Sequence, residues 1–203
     1  MTWSATERYR LESAPGGLAL VQDLLNTVAA GGPAHRDLLA DVADAQKWTD
    51  GAIAAWAAVT GRQAPRVTLD EAALRELRGF RDALREAAAV RAAESPAGDH
   101  PEIPELAEIP EHSGEAVLRL GVDGVVRLEV RGHGGHRLVA LVLAEVYEGQ
   151  RADTGRRLKA CRNPECRVAF YDRSRNNSGV WHDVKTCGNA ANLRAYRARQ
   201  RER

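Results

Sequence analysis

The chain has 203 residues, 29 Lys+Arg against 28 Asp+Glu, and a formal net charge of +1. That length carries one large domain, or a medium domain plus a small module. No apolar run approaches the ~20 residues a membrane span needs, and the polar opening stretch MTWSATERYRLESAPGG has no secretory-signal core. Aromatic residues are 5% of the chain while alanine is abundant, which favours close-packed helices over a β-sandwich. The near-zero charge conceals a split. Residues 1–150 hold 15 basic and 23 acidic side chains, a balance of −8, and residues 151–203 hold 14 and 5, a balance of +9. An acidic body over 1–150 and a basic tail over 151–203 predict two modules with different partners.

Along the body, Leu18, Val21, Leu25 and Val28 repeat at helical spacing, and Gly31-Gly32-Pro33 breaks the chain. A second helical stretch is expected from near Asp37, carrying Leu38, Val42, Ala45 and Trp48. Thr49-Asp50 is expected to cap a continuation with Ala52, Trp56 and Val59 that Gly61 ends. Thr68-Leu69-Asp70-Glu71 reads as a capping box opening a helix through about Ala93, with Ala73, Leu77, Phe80, Leu84 and Ala88 as its apolar stripe. Residues 95–114 hold four prolines and read as an irregular connector. Ala116–Leu120 and Val125–Val130, joined around Asp123-Gly124, predict a β-hairpin. His136–Glu148 is apolar on most sides and predicts a buried helix, with Gly149 as the residue after its C-cap. The fold class expected is mainly α: a helical N-terminal domain with one β-hairpin, then a small C-terminal module ending in a basic helix.

The body holds no GxGxxG, GxxxxGK[ST], GxSxG or HExxH pattern. His112, His133 and His136 are read as solvated loop residues. Asp41, Asp44, Asp70 and Glu71 are read as helix-surface and helix-start charges, and Trp48 and Trp56 as core. No enzymatic activity is expected. The body is expected to sense a small-molecule effector or to form a homodimer.

All three cysteines fall between Cys161 and Cys187, in polar sequence. In the reducing cytoplasm expected for this chain, such a cluster favours metal over disulfides. The pattern Cys161-x4-Cys166-x15-His182-x4-Cys187 supplies two close pairs separated by a loop, the layout of a structural zinc site. His182 is the expected fourth ligand; Asp183 is a rival, but imidazole suits zinc better beside thiolates. One structural zinc is therefore expected, in a closed shell without an open position for catalysis. After Cys187, residues 189–203 read as a helix with Arg194, Arg197 and Arg201 on one face, while Arg173 and Arg175 sit in the preceding loop. These five arginines are the expected contacts to nucleic acid, DNA first, by phosphate grip or base reading. RNA binding, protein interaction through a zinc-shaped surface, and a small-molecule-binding or enzymatic body with a structural tail are the alternatives.

The tail resembles a CGNR-type zinc finger. The resemblance rests on Cys161 and Cys166, on Phe170-Tyr171-Asp172-Arg173-Ser174-Arg175-Asn176, on Trp181, and on Cys187-Gly188-Asn189-Ala190. The body resembles the ABATE domain that precedes this finger, through Leu18–Val28 with Leu25-Asn26-Thr27. The resemblance implies a bacterial, stress-linked transcription regulator. Two positions depart from the pattern: His182 stands where the family usually has cysteine, and Ala190 where the tetrad usually ends in arginine.

Overall fold

A computed structural model describes residues 2–30, 35–93 and 110–201. The break at Gly31-Gly32-Pro33 and most of the expected connector lie outside the described residues. In chain order the elements are α1 (Ser4–Glu7), α2 (Leu18–Leu25), α3 (Val42–Thr60), α4 (Glu71–Ala93), β1 (Ala116–Leu120), β2 (Val126–Val130) and α5 (Gly134–Arg151). Then come one 3₁₀ turn, β3 (Leu158–Ala160), β4 (Ala169–Tyr171), a π-helical turn over Val184–Gly188, and α6 (Asn189–Arg201). The fold is mainly α with a small hairpin, as the apolar periodicity requires.

Helix α2 is the hub. Every one of its residues is buried, and it packs against α1, α3, α4 and α5. Its polar residue Asp23 is tied down inside the protein. The Asp23 carboxylate accepts from Trp48 Nε1 at 2.9 Å and from the Thr6 backbone N–H at 2.8 Å. Burial pushes the Asp23 carboxyl above its ordinary value, against the pull of these donors. Trp56 is treated alike: its Nε1 donates to Glu145 of α5 at 2.9 Å, and Arg62 reaches the same carboxylate at 2.7 Å. Both tryptophans are core residues with satisfied indole N–H groups.

Several local expectations need correction: His136, read as a loop residue, lies in α5 and pairs with Glu76 at 2.9 Å, and His112 packs edge-on against Phe80. Helix α3 runs unbroken through Thr49-Asp50, because Asp41 already caps its start by accepting from the Asp44 N–H at 2.8 Å. It ends, as expected, on Gly61 with φ of 68°. At α4 the cap is Asp70 rather than Thr68: its carboxylate accepts from the Ala73 N–H at 2.8 Å. Gly149 lies inside α5, which runs two residues further. Glycine is needed there for close approach, since a Cβ would stand 2.8 Å from Leu18 Cδ2 on α2.

The hairpin pairs Leu118 with Leu128 and Leu120 with Val126 on one apolar face. Its outer part is open to solvent, with Leu118 and Leu120 about 70% exposed.

Strands β3 and β4 form a second antiparallel pair, Leu158 opposite Tyr171 and Ala160 opposite Ala169. This pair does not stand apart from the helices. Leu158, Ala160 and Ala169 belong to the same buried cluster as the body's leucines, and β3 packs on α4. The change of charge near residue 150 is therefore not a break in packing.

Candidate metal centre

The strand pair delivers the first two ligands. Cys161 follows β3 directly, and its N–H donates to Val168 O at 2.8 Å, closing a tight loop. Inside the loop Cys166 N–H and Arg167 N–H both donate to Asn163 O, at 2.9 and 3.0 Å. Arg167 takes φ of 51°, the left-handed conformation that turns the chain back toward β4. His182 is brought in by the segment after Asn177, where Arg162 N–H donates to Val180 O at 3.0 Å. Cys187 sits on the π-helical turn. Asp183 caps that turn, accepting from Lys185 N–H at 2.7 Å, and these N–H groups hold its carboxyl below the ordinary range. Asp183 is thus a capping residue and not the rival ligand.

The ligand atoms of Cys161, Cys166, His182 and Cys187 all lie within 4.8 Å of one another. Cys166 Sγ and His182 Nδ1 are 3.4 Å apart. Two donors bonded at zinc distances of about 2.1–2.3 Å in a tetrahedron lie roughly 3.4–3.8 Å apart, so Cys166 and His182 stand at the spacing of two ligands of one ion, and the widest pair of the four is within about 1 Å of it. The three cysteines are buried and form a cluster with Val168 and Ala30, against which Trp181, Tyr9, Leu11 and Val28 pack. The Cys166 thiol, hydrogen-bonded to Cys161, draws the Cys161 thiol below its ordinary value. The same bond, with burial, pushes Cys166 up. A zinc ion held by these residues would replace that sharing and keep the sulfurs as thiolates. The four side chains form one structural zinc site.

Support around the ligands was not visible in the sequence. Asn163 Nδ2 donates to Cys187 Sγ at 3.3 Å, and Asn163 Oδ1 accepts from Arg194 Nη2 at 2.8 Å. Arg194 also pairs with Glu165 Oε2 at 3.4 Å. Further out, Lys159 and Asp172 are both buried and pair at 2.8 Å. Lys159 Nζ also donates to Asn177 O and Gly179 O, which fixes the loop leading to His182. Gly179 lies against the Asp172 carboxylate, where a Cβ would come within 2.8 Å of an oxygen. Its N–H donates to Asp172 Oδ2 at 2.7 Å.

The five arginines expected at nucleic acid divide. Arg173 pairs with Glu12 at 2.9 Å, donates to Ser13 O at 2.7 Å and lies over the Tyr171 ring. Arg194 is engaged with Asn163 and Glu165, as above. All five are exposed, so what sets Arg173 and Arg194 apart from Arg175, Arg197 and Arg201 is these protein contacts. Of the aromatics, Trp181 packs on the metal cluster, whereas Tyr171 packs against the main core.

A helical body whose core takes in the strand pair that carries a Cys₃His knuckle, followed by an arginine-rich helix, defines a zinc-finger protein whose metal is structural. The chain belongs to the ABATE family, "Putative stress-induced transcription regulator", whose model matches residues 18–149. The CGNR zinc finger model matches residues 157–200, the segment that holds all four ligands. No curated protein matches the chain. Among the described residues no helix is long and apolar enough to cross a membrane.

Proposed function

We propose that this chain is a transcription regulator that grips duplex DNA through its zinc module. The observation that carries the reading is the placement of α6. It leaves directly from the turn bearing Cys187, so the metal fixes the direction of a helix whose Arg197 and Arg201 face solvent. Guanidiniums held this way pair with phosphates and with guanine edges in a major groove. Arg175, exposed in the loop before His182, adds a phosphate contact. Arg173 and Arg194 act beside them, Arg173 by holding the loop on the body and Arg194 by bracing Asn163. The reading assigns the zinc no catalytic step, because four protein ligands leave no open position. The family's stress-linked regulatory description supports the same reading, with a cytoplasmic location.

The test is binding of the zinc-loaded chain to duplex DNA across a salt series, with single-stranded RNA as competitor. The reading expects duplex binding that weakens linearly in log salt, is lost on chelation, and survives excess RNA. Displacement by RNA at equal concentration would place the tail on single strands instead. Salt-insensitive binding to protein alone would make the module an interaction surface.

A further inference from the structure

Between the body and the first strand of the zinc segment lies a cavity of about 190 Å³. Its walls are Leu18, Val21 and Leu25 of α2, Leu84 of α4, Val146 of α5 and Leu158 of β3. The polar lining residues Gln150, Asp153 and Arg156 are exposed and form the mouth. There Arg156 Nε pairs with Asp153 Oδ1 at 2.7 Å.

The geometry points to a binding site for a small uncharged apolar molecule, about one aromatic ring in size, held between the ABATE helices and β3. Three observations converge. The walls are aliphatic side chains that offer water no hydrogen-bond partner, so a water cluster is a poor occupant. The volume exceeds the roughly 150 Å³ at which an apolar cavity in a protein takes up benzene. The two mouth charges satisfy each other, so the site favours neither sign of ligand charge, while Gln150 remains for one polar group. The location gives the site its consequence. Leu158 opens β3, which runs straight into the zinc ligand Cys161, so an occupant touching Leu158 and α2 together tightens the zinc segment on the body. That regulatory consequence rests on the DNA-binding reading, whereas the binding itself does not.

The experiment uses the zinc-loaded full chain with toluene, benzyl alcohol and benzoate as probes, read by thermal unfolding and by hydrogen exchange at residues 158–160. A ligand that binds only the folded chain raises its stability by mass action. Toluene and benzyl alcohol are expected to raise Tm saturably and to slow exchange in β3, and benzoate to do neither. In Val146→Phe, which fills the cavity, affinity is expected to fall at least tenfold while zinc content stays at the wild-type level. If that variant loses zinc, Leu84→Phe takes its place. No saturable response to either neutral probe, or an unchanged response in the filled variant, overturns the site. An equal response to benzoate overturns the uncharged class. None of these readouts depends on DNA, so failure here and failure of the regulator reading are separable.

Discussion

Asn26 and Ala169 join through both ends of one amide: Asn26 Oδ1 accepts from Ala169 N–H at 2.8 Å, and Asn26 Nδ2 donates to Ala169 O at 2.9 Å. The side chain thus replaces a neighbouring strand for β4, and it does so from the helical body, 143 residues away in sequence. Asn26→Ala strands the buried Ala169 N–H and leaves its carbonyl only the 3.3 Å bond from Gln22 Nε2, and is expected to cost about 1–3 kcal/mol. Because Leu158, Ala160 and Ala169 share the body's core, urea melts should show both segments losing stability together. A variant whose tail alone loosens would show that the two segments fold independently.

The buried pair of Lys159 and Asp172 makes an acid-limb prediction. Burial alone would raise the Asp172 carboxyl, but the Lys159 ammonium and the donors from Ser174 and Gly179 outweigh it and hold it at about 2, against an ordinary 3.8. A folded value below the unfolded one adds stability that is complete above about pH 4 and is lost as pH falls through 2. Unfolding free energy followed from pH 5 to pH 2 should show this loss in the wild type and a smaller one in Asp172→Asn. Lys159→Met leaves a buried carboxylate without its cation and is expected to cost about 3–5 kcal/mol at pH 7.

Asn163 should matter to the metal without touching it. It gives an N–H to Cys187 Sγ and receives one from Arg194. Loss of such support round a ligand lowers metal affinity by about 10–100-fold. Chelator competition on Asn163→Ala should show a drop of that order with the zinc stoichiometry unchanged at saturation. His182→Cys tests the departure from the family pattern. A thiolate in place of imidazole should bind zinc more tightly, and competition across pH would reveal the altered proton release.

Each phosphate contact contributes about one unit to the salt slope of DNA binding, so Arg197→Ala and Arg201→Ala should each reduce the slope by about 1. Arg173→Ala should instead lower stability, since its partners are Glu12 and Ser13. Equal effects on the slope from all three would undo the division of the arginines.

The helices were legible because their apolar residues recur every three to four positions, and the hairpin because β-branched runs flank Asp123-Gly124. The ligand set was legible because all three cysteines cluster in one polar segment and His182 is the zinc-suited imidazole between them. Strands β3 and β4 were not, because three-residue strands leave no alternation to read. Helix starts were misplaced where two capping residues stood close together, as Thr68 and Asp70 do. The supporting residues were hidden for a different reason. Asn26, Asn163 and Lys159 look like ordinary polar residues until distant parts of the chain bring Ala169, Cys187 and Asp172 beside them. No local pattern encodes such partners.

The most direct test of the central claim is the metal content of the purified chain, measured beside His182→Ala. The closed Cys₃His site predicts one zinc per wild-type chain, and zinc lost or far more easily removed by chelator in the variant. A wild type without zinc, or a variant that holds its zinc as firmly as the wild type, would contradict it.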